Sequence, residues 1–171
     1  EAPDAEFAYG DIVFLNARGE VAGEQLEPSY SPFILRYGHN LFADPACFWR
    51  RSLHDRIGPI AEDTRISLDY EFWVRLVRHR IKVVQVRERL AAFKVTGDNM
   101  SVVNHGIMKL EHYDVMVRHY PAWKVLPSRL RHAALAGLKF VARAYKWLRC
   151  RFERGARGSR DFARLMKDPL Q

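Results

Sequence analysis

The spacing of apolar and polar residues changes along the chain, from runs typical of strands to runs typical of helices. Up to about residue 101 both kinds of run occur, and beyond it the pattern is helical. Runs of β-forming residues bounded by turn residues predict five strands. They are 6–15, a short strand after the 16–19 turn, 41–50, 81–86 and 89–95. Residues 23–32, with two prolines, predict a loop, and Gly97, Asp98 and Asn99 predict a turn.

Apolar spacings of three and four, together with capping residues and helix breakers, predict five helices. Pro121 is expected to end the fourth helix, and Gly155 with Gly158 the fifth. The remainder of the chain, 155–171, is expected to be loose. The predicted helices are 32–37, a brief one from Ser52 to Ile57, Asp69 to about Arg80, 103–119, and Ser128 to about Arg154.

The most informative pattern surrounds Asp69, which stands directly before a helical apolar face formed by Phe72, Trp73, Leu76 and Val77. A carboxylate at the start of a helix is stabilised by the unpaired backbone N–H groups and by the helix dipole. Asp69 is therefore interpreted either as a simple N-cap or as an ionised functional group whose pKa is lowered by the helix terminus.

Four segments of the chain resemble family-2 glycosyltransferases with the GT-A fold, and they occur in the family's order. Residues 57–76, which contain Gly58-Pro59 and then Leu68-Asp69-Tyr70-Glu71-Phe72-Trp73-Val74-Arg75-Leu76, resemble the motif "iGxf(D/E)" followed by "xDYExWxRL". Residues 8–19 resemble the "vYGD…dxxG" hairpin, 40–51 the "NxixxpaxFwRR" strand, and 90–101 the "laxfRxHxxxxS" segment.

This resemblance implies an α/β fold: the C-terminal half of a GT-A-like domain over 1–101, followed by a basic α-helical extension over 102–171. It also implies inverting transfer of a sugar from a nucleotide-sugar donor to a glycan or lipid-linked acceptor, as in bacterial surface polysaccharide assembly. An inverting transfer needs a general base for the acceptor hydroxyl, and the resemblance assigns this role to Asp69.

Three further residues are predicted to bind substrate. Glu71 is expected to orient an acceptor hydroxyl or to cap the helix, and Asp44 resembles a loop position near the sugar. Arg50 is interpreted either as a phosphate contact or as part of a surface ion pair. Asp69 and Glu71 do not suggest a metal pair, because residues two apart on a helix point in different directions. Trp73 is expected in the core and Arg75 on a solvated face.

The sequence departs from the family pattern in two ways. Thr96 stands where the family often has a histidine that helps to bind the metal or the diphosphate. The chain also contains no D-x-D motif and no preceding βαβ nucleotide-binding half. A divalent cation, Mn²⁺ or Mg²⁺, is therefore expected for the full-length enzyme with its ligands mostly outside this chain. The chain alone is expected to be inactive and not to bind nucleotide sugars.

Composition supports a water-soluble protein, because 48% of residues are hydrophobic and 28% are charged. No apolar run approaches the roughly 20 residues of a membrane span. Two cysteines, Cys47 and Cys150, are too few and too far apart for a disulfide framework or a metal site. We expect a cytoplasmic protein, with a peripheral position at the inner face of the plasma membrane as a further expectation.

Positive charge is concentrated near the end of the chain. Residues 1–117 contain 14 Lys/Arg and 17 Asp/Glu, whereas residues 118–171 contain 14 Lys/Arg and 3 Asp/Glu. Such asymmetry suggests an anionic partner. Since no nucleic-acid-binding motif is recognisable, a membrane surface is favoured over nucleic acid. The competing function is therefore a non-catalytic module that binds an anionic membrane through its basic amphipathic helix.

The helix predicted from Ser128 carries an apolar stripe formed by Leu130, Ala134, Leu138, Val141, Tyr145, Leu148 and Phe152. This stripe is expected either to pack on the α/β body or to enter a membrane interface. In the second case Lys139, Arg143, Lys146 and Arg149 would contact anionic lipid, each contributing about 1 kcal/mol.

Overall fold

A computed structural model describes residues 4–38, 42–96, 98–99 and 103–155 of the chain, which form a mixed α/β fold. Four strands make one sheet around the central strand β1. Strand β4 runs parallel to β1 along its whole length, and β2 and β3 lie antiparallel to opposite ends of β1. The strands are β1 (Phe7–Leu15), β2 (Val21–Gln25), β3 (Cys47–Trp49) and β4 (Val83–Lys94).

Four α-helices and three shorter helical turns complete the described part of the chain. The α-helices are α1 (Leu53–Ile57), α2 (Leu68–Arg78), α3 (His105–His119) and α4 (Ser128–Arg154). A π-helical turn spans Ile34–Gly38, and 3₁₀ turns span Asp44–Ala46 and Pro121–Val125. The predicted helices are confirmed, with boundaries that shift by only a few residues.

Three predictions, two of strands and one of a loop, were wrong in detail. The predicted strand 41–50 is reduced to Cys47–Trp49, because Asp44 and Pro45 begin a 3₁₀ turn and proline supplies no N–H to a strand ladder. Strand β2 occupies the first residues of the predicted 23–32 loop. Residues 39–41, Gly97, Ser101 and the predicted loose segment 156–171 lie outside the described residues.

The two strands predicted at 81–86 and 89–95 are one continuous strand, β4. Its register with β1 shifts between Tyr9 and Ile12, so an irregularity absorbs the polar residues 87–89 without ending the strand. At this point β4 approaches Gly10 so closely that a Cβ would lie 2.5 Å from Leu90 Cδ1 and 2.9 Å from Glu88 O. A glycine is therefore required at position 10 of the "YGD" segment.

An aromatic core lies between β1, β3 and α2. The rings of Phe7 and Trp73 are 5.0 Å apart, those of Phe42 and Trp73 are 5.5 Å apart, and those of Trp49 and Phe72 are 5.4 Å apart. Aromatic pairs at such distances add to the stability that burial provides. This cluster fixes α2 against the sheet and so positions the segment that carries Asp69.

Helix α4 packs on the body through small and charged residues rather than through its apolar stripe. Ala142 and Cys150 are buried against the π-helical turn and the loop after β2, where Cys150 Sγ donates to Leu26 O over 3.5 Å. Lys146 pairs with the fully buried Glu27, their charged atoms 2.6 Å apart, and Arg154 pairs with the buried Asp11 of β1.

Of the two alternatives for the apolar stripe of this helix, packing on the body is therefore wrong for most of its members. The exposed fractions are 59% for Leu130, 53% for Val141, 43% for Leu148 and 83% for Phe152. The periodicity located the helix correctly, but the ionic partners on the body determined which face turns inward. None of the described helices is both long enough and apolar enough to cross a membrane.

Candidate functional site

The candidate site is organised by the first turn of α2. Ser67 is the N-cap, so Asp69 lies inside the first turn rather than at the cap position considered from the sequence. The Asp69 carboxylate accepts a hydrogen bond from the Tyr70 N–H over 2.7 Å. On the following turns Phe72, Trp73 and Leu76 are buried in the core. The apolar spacing that predicted the helix therefore also fixes the direction of Asp69.

Glu111 of α3 holds the segment that leads into α2. Its two carboxylate oxygens accept hydrogen bonds from the backbone N–H groups of Arg65, Ile66 and Ser67, at 2.9, 3.0 and 2.9 Å. Burial opposes ionisation of Glu111, but these N–H groups outweigh it and lower its pKa. Glu111 thus supplies the cap that no side chain within the segment provides.

The turn before α2 is held by Arg75, which the sequence had placed on a solvated face. That placement was wrong, because only 12% of the Arg75 side chain is exposed. Its guanidinium donates to Ile57 O over 2.6 Å and to Pro59 O over 2.8 Å. Gly58 has a φ of 86°, which favours glycine, and a Cβ there would lie 3.1 Å from Arg75 Nη1. The Gly-Pro turn and the arginine of the "DYExWxRL" segment are therefore one structural unit.

Asp69 and Asp44 line the same pocket, which has a volume of about 360 Å³. Asp44 enters it from the 3₁₀ turn before β3, and Asp69 enters it from the first turn of α2. The rest of the lining is almost entirely apolar and aromatic. It consists of Pro45, Cys47, Trp49, Ile60, Leu68, Phe72 and Trp73.

This apolar environment raises the pKa of both carboxylic acids. Burial is the main cause for Asp69, and it outweighs the opposing hydrogen bond from the Tyr70 N–H. The expectation that the helix terminus lowers the pKa of Asp69 was therefore wrong in sign. The pKa of Asp44, which lies at the exposed rim, is raised to about 7 by surrounding protein atoms and then by the charge of Asp69.

Glu71 and Arg50, the other predicted substrate contacts, do not line this pocket. Glu71 is buried on another side of α2, where its carboxylate lies 2.8 Å from Arg75 Nη2 and 2.7 Å from His119 Nε2. Burial opposes the ionisation of Glu71, but His119 and Arg75 together lower its pKa. The Arg50 side chain donates to Ala5 O over 2.8 Å at the end of β3.

The described residues contain no cluster of side chains of the kind that holds a metal ion. No three or more His, Cys, Asp or Glu side chains within 4–38, 42–96, 98–99 and 103–155 are grouped as metal ligands would be. Thr96, at the position of the family histidine, donates its hydroxyl to Asp98, and its N–H donates to Asn99 Oδ1 over 2.9 Å. Both groups of Thr96 therefore belong to a local turn.

Two structural features of the site region had no signal in the sequence. Glu111 lies in a helix of weak apolar periodicity, and its partners are backbone groups more than 40 residues earlier. Asp11 is part of the "YGD" segment, yet it accepts a hydrogen bond from the Glu27 N–H over 2.8 Å and forms an ion pair with Arg154. Asp11 therefore has a structural role, joining β1 to α4.

The pKa of Asp44 leads to a testable pH dependence. Because the folded-state value, about 7, is above the usual 3.8, ionised Asp44 destabilises the fold. The stability associated with protonated Asp44 is fully present below about pH 4 and is lost as the pH rises through about 7. The full shift of the Asp44 pKa corresponds to about 4 kcal/mol in the free energy of unfolding. Because Asp44 lies at the exposed rim, we expect solvent screening to reduce this contribution to about 1–2 kcal/mol.

We therefore expect Asp44→Asn to reduce, by about 1–2 kcal/mol, the loss of unfolding free energy between pH 4.5 and pH 8. Urea denaturation of both proteins at the two pH values measures this difference. Asp55→Asn, at an exposed position on α1, is the matched control. Equal pH dependence for the wild type and Asp44→Asn would contradict the assignment.

Glu111 gives a second prediction. Glu111→Ala removes the acceptor of three backbone N–H groups and should lower the free energy of unfolding at pH 7 by about 1.5–3 kcal/mol. Since the pKa of Glu111 is lowered, its contribution is present above the usual 4.5 and disappears as the pH falls below that value. Urea denaturation at pH 7 and pH 3.5 tests this, with the exposed Glu62→Ala as control. A loss that is equal at both pH values would argue against a charged cap.

Comparison with protein-family models, with curated proteins and with solved structures found no match to this chain. The relation to family-2 glycosyltransferases therefore remains an interpretation of the four motif segments.

Proposed function

We propose that the chain contributes the acceptor side of an inverting glycosyltransferase, with Asp69 as the general base. The observation that carries this proposal is the position of Asp69 in a pocket lined mainly by apolar and aromatic side chains. The burial that raises the pKa of Asp69 also makes its carboxylate a stronger base than an exposed aspartate. This property favours a role in proton transfer over a purely structural cap.

In the proposed reaction, the Asp69 carboxylate takes the proton of the acceptor hydroxyl as that oxygen attacks the anomeric carbon of the donor sugar. A carbon–oxygen bond forms to the acceptor, and the bond from the anomeric carbon to the nucleoside diphosphate breaks. The electron pair of that bond leaves with the diphosphate. Attack on the face opposite to the leaving group inverts the configuration of the sugar.

Asp44 complements Asp69 in this proposal as an acceptor contact. With a pKa of about 7, its carboxyl group can either donate or accept a hydrogen bond at neutral pH. Trp49 and Trp73 provide apolar surfaces beside the two carboxyl groups, as expected for a pocket that orients a ligand through few polar contacts. A glycan or lipid-linked sugar presenting one hydroxyl group towards Asp69 fits this arrangement.

The donor nucleotide and its divalent cation, Mn²⁺ or Mg²⁺, are assigned to groups other than the described residues, which contain no cluster of ligands for them. No step of the proposed reaction on this chain involves the metal. Glu71 and Arg50 are proposed to support the site rather than to touch the acceptor, since neither lines the pocket. We place the reaction at the cytoplasmic side of the plasma membrane, in polysaccharide assembly.

The test is transfer of radiolabelled sugar by the protein expressed from its complete reading frame. A panel of nucleotide sugars is combined with glycan and lipid-linked acceptors, and product is followed by chromatography. The proposal predicts product of inverted anomeric configuration with at least one donor–acceptor pair. Retention of configuration in that product would contradict it.

A further inference from the structure

Helix α4 presents a broad apolar surface to solvent. Its exposed members include Leu130, Phe140, Val141, Trp147 and Phe152, of which Phe140 is 75% and Phe152 83% exposed. Scattered exposed apolar residues are ordinary, but a continuous set along one helix marks an interaction surface. We refer to the outward-facing side of Ser128–Arg154 as the α4 outer face.

The structure explains why this face is turned outward. The inward face is held by buried ionic and hydrogen-bonded contacts: Lys146 with Glu27, Arg154 with Asp11, and Glu153 with Ser29, whose N–H and hydroxyl donate over 2.8 and 2.6 Å. Rotating the helix to bury its apolar stripe would expose these partners and leave buried Glu27 and Asp11 without their cations. The exposure of the stripe is therefore built into the fold.

Six of the eight Lys and Arg residues of α4 form two groups with different roles, and the other two, Arg131 and Lys139, are half-buried. Lys146, Arg149 and Arg154 pair with acids of the body or of α4 itself. Arg129, Arg143 and Arg151 are exposed beside the apolar residues. The only acid of α4 is Glu153, which contacts Ser29 and Arg149. The α4 outer face therefore combines aromatic and aliphatic side chains with positive charge and carries no carboxylate.

We propose that the α4 outer face binds the interface of an anionic lipid bilayer, lying in the membrane plane. Interfacial helices combine Trp, Phe and Leu on one side with Arg and Lys beside them, as this face does. Charge complementarity selects this occupant, because an anionic leaflet attracts all three arginines. In a symmetric pairing of two copies, the same arginines would be brought towards each other without an acid to neutralise them. The proposal is independent of glycosyl transfer.

The structure also corrects the group of cations that the sequence assigned to the membrane. Lys146 and Arg149, which the sequence placed among the lipid contacts, are engaged with Glu27 and Glu153. Lys139, the third residue reassigned, is half-buried rather than exposed, and Arg129 and Arg151 join Arg143 in the lipid-facing group instead. Substituting Lys146 would disturb the fold and so would not test membrane binding, whereas substitution of the three exposed arginines leaves every ion pair described above intact.

The first test is co-sedimentation of the chain with vesicles of 30% phosphatidylserine in phosphatidylcholine, at low and at 0.5 M salt. We expect binding that weakens steeply with salt and is much weaker for pure phosphatidylcholine. The triple substitution Arg129→Gln, Arg143→Gln and Arg151→Gln should weaken binding by about 100-fold, about fivefold for each arginine. Substitution of the exposed Arg18, Arg51 and Arg87 by Gln is the control of equal charge, and should change binding much less.

The second test concerns the apolar residues. The double substitution Phe140→Ser and Phe152→Ser should abolish binding to vesicles without altering the circular dichroism spectrum. In vesicles with brominated acyl chains, tryptophan fluorescence should be quenched less in Trp147→Phe than in the wild type. Absence of binding at low salt, or equal losses in the two arginine triples, would overturn the proposal. The proposal would also be overturned if the protein does not bind vesicles and sedimentation equilibrium shows a dimer that dissociates when the two serine substitutions are made.

Discussion

Replacing Lys146 by Met should lower the free energy of unfolding by about 3–5 kcal/mol, the usual loss when one partner of a buried ion pair is removed. Glu27 is fully buried, and the ammonium group of Lys146 lies 2.6 Å from its carboxylate. Burial raises the pKa of Glu27, and the positive charge of Lys146 opposes this effect. Without Lys146, ionised Glu27 would be a buried charge that keeps its hydrogen bond from the Gln25 amide but has lost its cation.

The pH dependence of this variant follows from the same contact. Loss of Lys146 should raise the pKa of Glu27 further, so Glu27 becomes neutral more readily as the pH falls. We therefore expect Lys146→Met to be more damaging at pH 8 than at pH 5. Urea denaturation at both pH values measures the difference.

The matched controls separate the ion pair from a general effect of losing a charge. Lys124→Met, at an exposed position in the 3₁₀ turn before α4, should change stability by less than about 0.5 kcal/mol. The double variant Glu27→Gln with Lys146→Met should recover much of the loss, because neither partner is left charged and alone. A loss below about 1 kcal/mol for Lys146→Met alone would show that the pair does not hold α4 in place.

Helix α4 illustrates what periodicity can and cannot predict. Its length and ends follow from Pro127, the apolar spacings and Gly155, and the structure confirms them. Its orientation depends on Glu27 and Asp11, which lie far away in sequence and carry no periodic signal. A stripe of apolar residues predicts burial only when no stronger contact competes for the other face, and here buried ion pairs compete.

The candidate site shows the same division. The apolar spacing of α2 predicted a helix that begins near Asp69, and the structure confirms it. The direction of the Asp69 pKa shift was not predictable, because it depends on how Trp49 and Ile60 close the pocket around the carboxylate. Likewise, the sequence suggested that Glu71 either orients an acceptor hydroxyl or caps the helix, whereas its carboxylate contacts His119 of α3 and Arg75, away from the pocket. The local sequence therefore predicts helix α2, whereas packing between residues distant in sequence determines the pKa values and the partners of its carboxylates.

Asp69→Asn is expected to reduce sugar transfer by about 10²–10⁴-fold, the usual contribution of a general base. The substitution keeps a side-chain oxygen that can accept the Tyr70 N–H hydrogen bond, and it removes a carboxylate whose ionisation burial opposes. The fold should therefore be retained. The loss should appear in kcat more than in KM, because an amide of the same shape still occupies the pocket but cannot take the acceptor proton.

The transfer rate of Asp69→Asn relative to the wild type, measured with the same donor and acceptor on the protein expressed from its complete reading frame, tests the central claim most directly. Asp63→Asn, an exposed neighbour on the segment before α2 whose side chain is 59% exposed, is the control. The account predicts near-normal transfer for Asp63→Asn and a loss of at least about 10²-fold for a folded Asp69→Asn protein. Transfer by Asp69→Asn within a few-fold of the wild type would contradict it.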